Sequence, residues 1–384
     1  MSLFNRLPFP LILVIALWIT CLALPVEAAQ PKLVTVAYQY GANPSKLAQA
    51  EGRYEKATGS KIVWKRFDNG ADIATALASG DVDIGLVGSS PLAAFASRGL
   101  PVKAFVLSGV IGSSEALVVR DGSNILKPQD LAGKTIATPY VSTSHFSLLA
   151  ALAHWQVNAQ QVKIINLGPT EIIAAWKRGD IAAAYTWDPA LSAIKQSGKV
   201  LTDSEEVGRW GSPTFEAWIV RNAFAEQYPE FVQAFADVTL AANLEYREYG
   251  HRWTPSSPHI QAIARISGSR AADLPQLLKG SRFPTAQEQL AAELLGNDKA
   301  SGLARVLQST ADFLKAQKKI DRVLPDYRNI IDTKYVTRYV TQAAHSQGSK
   351  LSSASSMPNS LSKQARNDAF NTLAGPATSA AEAL

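Results

Sequence analysis

One passage occurs twice, and that repeat constrains the fold more than any other feature of the chain. Asp72-Ile-Ala-Thr-Ala-Leu-Ala-Ser-Gly80-Asp81 has its counterpart in Glu171-Ile-Ile-Ala-Ala-Trp-Lys-Arg-Gly179-Asp180. Each copy reads as a helix stopped by glycine, followed by an apolar strand, a loop and a proline: Gly88-Ser89-Ser90-Pro91 in the first, Thr186-Trp187-Asp188-Pro189 in the second. Proline at the first helical position after Ser or Asp is a helix-start signal. The following strands echo as well, Glu115-Ala-Leu-Val-Val-Arg120 against Glu216-Ala-Trp-Ile-Val-Arg221. Two similar α/β lobes follow, with the Glu-Ala strands as the crossings between them. The first lobe is expected at about 31–117 and from 218 to 340, its last part supplying buttressing helices. The second lobe is expected at 118–215.

The rest of the pattern agrees with parallel α/β units. Leu33 to Tyr38 reads as a strand and Pro44 to Ala57 as a helix ended by Gly59. Lys61 to Trp64 is a second strand, and Ile73 to Ser79 a helix stopped by Gly80. With 384 residues, 47% hydrophobic and 18% charged, the chain has enough apolar material for two such cores. In open α/β sheets, ligands sit outside the carboxyl ends of the strands, so two facing lobes make a cleft that closes on a small molecule.

The loops at those ends carry the candidate binding groups. Ser89 and Ser90 precede the helix expected from Pro91. Ser142, Thr143, Ser144 and His145 follow the strand Lys134–Ala137 and precede a helical run from Phe146 to Trp155. Hydroxyls and unpaired backbone N–H groups at a helix N-terminus form an anion site with no need for arginine; the same residues also serve as plain N-caps. Asp188 is an N-cap candidate before Pro189, and Trp187 and Gln39 (with Tyr38 and Tyr40) are core or cleft wall. Glu115 and Glu216 each open an apolar strand, where an unpaired carboxylate is costly, so each needs a cationic or hydrogen-bonding partner.

Several functions are excluded. A net charge of +6 spread over 38 basic and 32 acidic residues, without a long basic block, does not make a nucleic-acid surface. The single cysteine, Cys21, falls in a segment expected to be removed, and the five histidines have no ligand spacing, so neither disulfide nor metal is expected. Gly133-Lys134-Thr135 resembles the end of a phosphate loop, but Pro128 stands where its first glycine is required. Ser192 and Lys195 have S-x-x-K spacing without a companion motif. No cofactor and no catalytic residue is expected, and the chain does not read as an enzyme.

The ends differ from the middle. Residues 1–28 have a secretory-signal layout: Arg6, an apolar run from Phe9 to Leu24, and Val26-Glu27-Ala28 as a cleavage site. The run is shorter than the ~20 residues that spanning a bilayer requires. Residues 341–384, rich in Ser, Ala, Gln and Asn, are expected to form a disordered tail.

Long motifs then connect the chain to a known family. They include Val34-Thr-Val-Ala-Tyr-Gln39, Arg66-Phe-Asp-Asn-Gly-Ala71, Ala76-Leu-Ala-Ser-Gly-Asp81 and Ile84-Gly85 with Gly88-Ser-Ser-Pro-Leu92. Further along are Ser114-Glu-Ala-Leu-Val-Val119, Ser142-Thr143 with His145, Ser147-Leu-Leu-Ala-Ala-Leu152, and Gly198-Lys-Val-Leu-Thr-Asp-Ser-Glu205. Over about 33–340 the chain resembles the taurine branch of the sulfonate/nitrate/taurine group, the type II periplasmic binding proteins of ABC importers. The resemblance implies a two-lobed, flytrap-like receptor in the periplasm that acts as a monomer. It would deliver taurine, or alternatively another aliphatic sulfonate or small anion, to a membrane permease with a cytoplasmic ATPase. An enzyme on the same fold, as in relatives of the thiamine-precursor synthases, is the remaining class. The sulfonate suits helix N-termini and hydroxyls, and the ammonium needs a carboxylate, which the resemblance places at Glu216, with Glu115 and Asp188 as the competing acids. The taurine branch typically has Asp at that position, one methylene shorter.

Overall fold

A computed structural model describes residues 30–296 and 300–355. The proposed signal segment with Cys21, and residues 356–384, lie outside them. The first part of the chain runs β1 (Leu33–Gln39), α1 (Ser45–Ala50), α2 (Arg53–Thr58), β2 (Lys61–Phe67), α3 (Gly70–Ser79), β3 (Ile84–Gly88), α4 (Ser89–Ser97) and β4 (Val102–Ile111). The middle part contains β5 (Glu115–Arg120), β6 (Thr135–Thr138), α5 (Thr143–His154), β7 (Lys163–Asn166), α6 (Pro169–Arg178), β8 (Ala183–Trp187), α7 (Ala190–Ile194), β9 (Gly198–Asp203) and α8 (Ser204–Arg209). The chain then returns through β10 (Thr214–Arg221), α9 (Asn222–Gln227), α10 (Pro229–Tyr249), α11 (Pro258–Ser267), α12 (Leu274–Lys279), β11 (Ser281–Arg282), α13 (Ala286–Gln289), α14 (Gly302–Ala316) and α15 (Lys334–Ser355).

These strands form two mixed sheets, ordered β11-β4-β10-β3-β1-β2 and β7-β6-β8-β5-β9. The repeat read in the sequence is a repeat in space. Helices α3 and α6 are the echoed helices, and each ends on a glycine in the left-handed region, Gly80 at φ 84° and Gly179 at φ 83°. Such a C-cap is open to glycine at no steric cost. Each echoed strand then pairs antiparallel with one Glu-Ala strand: β3 with β10, and β8 with β5. The register sets Glu216 opposite Gly88 and Glu115 opposite Trp187, so each acid lies at the carboxyl end of the strand beside it.

The Glu-Ala strands are not themselves the crossings. From Glu115 onward β5 is in the second sheet, and from Thr214 onward β10 is in the first, so the chain changes sheets at 112–114 and 210–213. The reason is pairing: each strand lies between two neighbours over most of its length, β5 between β8 and β9 and β10 between β3 and β4. Breaking a ladder in mid-strand leaves buried N–H and C=O groups without partners.

Other differences are local. The helix expected over Pro44–Ala57 is two helices, because Gly52 adopts φ 64° between them. Helix α4 begins at Ser89 rather than Pro91, and α5 at Thr143 rather than Phe146. Helix α15 continues to Ser355, well into the stretch expected to be disordered. Its first turns are anchored by buried Tyr335 and Val336, and extending a helix already nucleated costs far less than starting one.

The first lobe's core gathers Trp218, Phe105, Phe235 and Tyr335 with the strands around them. The second lobe's sheet is covered on each face by a separate cluster, one around Trp176 and Ile172, the other around Leu148 and Tyr185. The lobes touch outside the sheets where Phe146 of α5 meets Phe313 of α14 edge-on, centroids 5.2 Å apart, and where Lys319 lies over the Tyr140 ring. Among the described residues, no helix is long and apolar enough to cross a membrane.

Candidate functional site

The carboxyl ends of β1, β3 and β8 and the amino ends of the antiparallel β5 and β10 converge on one small cavity between the lobes. It is lined from the first lobe by Gln39, Tyr40, Gly88 and Glu216, and from the second by Glu115, Ser142, Thr143, Trp187 and Asp188. Seven of the ten sequence candidates are therefore present. Ser89, Ser90 and His145 are not part of the lining.

Two helix N-termini border the cavity. Helix α4 starts just beyond Gly88, and α5 starts at Thr143. They approach so closely that a Cβ on Gly88 would stand 2.6 Å from Cγ2 of Thr143. The first turns of both helices have backbone N–H groups without intrahelical partners, each end carrying the positive pole of its helix dipole. The hydroxyls nearby are already committed. Ser142 Oγ donates to the Pro139 carbonyl and accepts from the His145 N–H, as an N-cap does. Thr143 Oγ1 donates to Glu115 at 2.6 Å. Ser89 Oγ accepts from the Phe215 N–H, and Ser90 Oγ is buried within the lobe without a hydrogen bond. Of the two kinds of donor expected at these helix starts, the main-chain N–H groups remain available to an anion, while the Ser142 and Thr143 hydroxyls are engaged elsewhere.

His145 is almost fully buried and structural. Its ring stacks on Tyr140, its Nδ1 accepts from the Val141 N–H at 3.1 Å, and burial, with Lys319 nearby, brings its pKa down to about 4. The ring is neutral at physiological pH.

Three carboxylates face the cavity, each in different company. Glu115 is buried, its oxygens accepting from Thr143 and, at 3.4 Å, from Ser204. Burial pushes its pKa up to about 7; the Thr143 hydroxyl opposes the rise and the neighbouring Glu216 charge adds to it. Glu216 is half-buried and also raised by burial, an effect that the charge of Lys46 and a hydrogen bond from Asn43 oppose. Asp188 caps α7: its Oδ1 accepts from the Ser192 N–H and hydroxyl at 3.0 and 2.7 Å. Burial raises its pKa, and Arg270 of the first lobe feels its charge.

Sequence reading missed Lys46 and Asn43. Lys46 follows a proline and a serine at the start of α1, where a lysine normally projects into water. Here it is buried, its Nζ donating to the Gln39 carbonyl at 2.7 Å and lying 4.5 Å from the Tyr38 ring centre. The only trace in the sequence is its position just after the carboxyl end of β1. Gln39 itself is fixed by its Nε2, which donates to the Leu86 carbonyl across the sheet. No lysine or arginine lines the cavity, and the described residues contain no cluster of His, Cys, Asp and Glu able to hold a metal.

Two α/β lobes joined by two crossings, with strand ends and helix N-termini meeting across a shared cleft, define the architecture of the periplasmic binding proteins. The sequence places the chain within that class: residues 44–247 match the family described as NMT1/THI5 like, and the chain belongs to that family. It is 48% identical over 308 residues to the taurine-binding periplasmic protein of Escherichia coli (strain K12), covering 80% of this chain and 94% of that one. The alkanesulfonate-binding protein SsuA from Xanthomonas axonopodis pv. citri, solved with MOPS bound, shares the fold at TM-score 0.66 and 23% identity, over 80% of this chain and all of that one. The fold also occurs in the desulfurization enzyme DSZB, at TM-score 0.54 and 15% identity, over 82% of this chain and all of that one.

Proposed function

We propose that the chain is an extracytoplasmic receptor that captures taurine between its lobes and delivers it, unchanged and as a monomer, to an ABC importer. The observation that carries this reading is the polarity of the cavity. Main-chain donors at two helix N-termini border it at Gly88 and Thr143, and carboxylates line it at Glu115 and Glu216. A zwitterion with a sulfonate at one end and an ammonium at the other matches both features. A sulfonate stays ionised at every physiological pH and accepts weakly through three oxygens, which suits neutral donors better than a competing arginine. The ammonium neutralises buried negative charge that otherwise costs stability.

The likeness to the E. coli taurine-binding protein supports this ligand. The signal-like residues 1–28 support export, and the permease and its ATPase are the partners that follow from that role. The resemblance to DSZB concerns the fold alone. Calorimetry with taurine, ethanesulfonate, nitrate and sulfate tests the reading. Taurine is expected to bind most tightly and to be recovered chemically intact after prolonged incubation. Preference for ethanesulfonate would assign the protein to other aliphatic sulfonates, and release of sulfite would assign it to an enzyme.

A further inference from the structure

The turn that leads into α5 has a conformation that its sequence does not favour. Ser142 donates its N–H to the Pro139 carbonyl at 3.3 Å, closing a four-residue turn whose third position is Val141. Val141 has φ 62°, in the left-handed region that such a turn normally fills with glycine or asparagine. The other non-glycine residues in that region among the described residues, Asn124, Gln156 and Lys318, have no branch at Cβ. A β-branched side chain there is strained, and such strain persists only where the surroundings over-determine it. Three sets of contacts do so. Val141 packs on the core of the first lobe. Tyr140, before it, is pinned beside β7, its N–H donating to Asn166 and its hydroxyl to the Ile164 carbonyl. The Val141 N–H itself donates to Nδ1 of His145 at 3.1 Å.

His145 is the third residue of α5 after its cap, Ser142. In helices α6 and α13 the same position holds Glu171 and Glu288, whose carboxylates accept from the N–H groups of Gly168 and Thr285. Neither of those helix starts lines the cavity, whereas Ser142 and Thr143 do. A ring nitrogen that accepts from an N–H bears no proton, so the imidazole fills the glutamate's role without its charge. Lys319 of the first lobe lies over the Tyr140 ring on which His145 stacks, and it also opposes a charged imidazole. We infer that His145 is a positioning residue for the anion end of the cavity: it holds Val141 in the left-handed turn, and with it the start of α5, without placing a carboxylate among the N–H groups that meet the ligand. His145 does not line the cavity and acts through Val141 and α5. The inference rests on the sulfonate half of the proposed function and deepens it, because an acid at this place would repel any anion.

The test compares substitutions at the two positions by calorimetry with taurine and ethanesulfonate. His145→Gln retains an uncharged acceptor and should bind both ligands within about threefold of the parent. His145→Glu retains an acceptor but adds the charge, and should weaken both ligands by at least about tenfold. His145→Leu removes the acceptor and should also weaken both, by about tenfold. Adding Val141→Gly, which takes up the left-handed turn without strain, should recover most of that loss in affinity and in melting temperature. Recovery separates this role from plain packing, since a gap left by the imidazole is not repaired by making a second residue smaller. In the ligand-free parent, nitrogen-15 nuclear magnetic resonance should find His145 uncharged, with its proton on Nε2, from about pH 8 down to about pH 5. A proton on Nδ1, a His145→Glu protein that binds as tightly as His145→Gln, or a double variant no better than His145→Leu would overturn the inference and leave His145 a packing residue. If the resonance and the recovery of melting temperature both hold while the parent binds neither sulfonate, the hold on Val141 stands and the ligand reading alone falls.

Discussion

Strands β5 and β10 carry nearly the same six residues and present their glutamates at the same place in each sheet, yet the two acids live in different company. Glu115 is surrounded by hydroxyls, Thr143 on one oxygen and Ser204 on the other, with Ser204 passing the network on to Tyr185 and Ser147. Glu216 has a charge nearby, Lys46, and the Asn43 amide. Hydroxyls solvate either protonation state of a carboxyl group, whereas a cation favours only the ionised one. The repeat thus fixes where a carboxylate stands, and its non-repeated neighbours fix what that carboxylate does. Burial raises the pKa of both acids; at Glu216 the charge of Lys46 opposes that rise, whereas at Glu115 only hydroxyls do.

The sharpest way to break this contrast is Glu216→Gln. Leaving a buried ammonium without its counter-charge typically costs about 2–5 kcal/mol, so taurine affinity should fall at least ~30-fold, while ethanesulfonate, having no amine, should lose little. Isothermal calorimetry on parent and variant of matched melting temperature decides it. Equal losses for the two ligands would move the amine-binding role to Glu115 or Asp188.

A substitution at the helix N-termini beside these acids should act on both ligands alike. Gly88→Ala pushes a methyl group into Thr143 across the cleft, 2.6 Å from its Cγ2. Overpacking of this kind costs about 1–3 kcal/mol, and because it obstructs the approach of the lobes, it should weaken taurine and ethanesulfonate together, by about tenfold. Selective loss of taurine alone would contradict the placement of the sulfonate end here.

The smallest of the three effects tests Glu115 through stability. Its folded pKa of about 7 stands above the ordinary glutamate value. A group raised in this way stabilises the fold fully at low pH, and that contribution is lost as pH rises from about 4.5 through 7. The loss is at most about 3 kcal/mol. Lys46, depressed to about 7, loses its contribution in the other direction, as pH falls from its ordinary alkaline value toward neutrality. Glu115→Gln should therefore flatten the decline in melting temperature of the ligand-free protein between pH 5 and 7. Taurine affinity should fall less than tenfold, since glutamine retains an acceptor for Thr143. An unchanged pH profile would mean that Glu115 is ionised throughout.

Much of the architecture was legible because repeats and glycine stops are local signals. Gly80 and Gly179 end their helices where the echo places them, and Glu115, Asp188 and Glu216 all reach the cavity. Helix starts were less legible. Pro91 reads as a first-turn residue, but Ser89 and Ser90 already belong to α4 and are buried, the Ser89 hydroxyl accepting from the Phe215 N–H. Lys46 was not legible at all, since nothing local distinguishes a buried lysine from a solvated one. Its ammonium is held by the Gln39 carbonyl and the Tyr38 ring, a contact that exists only once α1 folds back over the end of β1.

The two places where the chain changes lobes lie immediately before the two acids, at 112–114 ahead of Glu115 and at 210–213 ahead of Glu216. The first is tied down by Ser114, whose N–H donates to the Gly280 carbonyl and whose hydroxyl bonds Ser281. A group near a pivot travels a short arc when the arms swing, and a group far from it travels a long one. Glu115 and Glu216, with Thr143 and Gly88 directly beside them, therefore lie close to the axis about which the lobes would swing. A hinge that carries its binding groups this close to its axis would let the lobes part widely at their rims while those groups shift little.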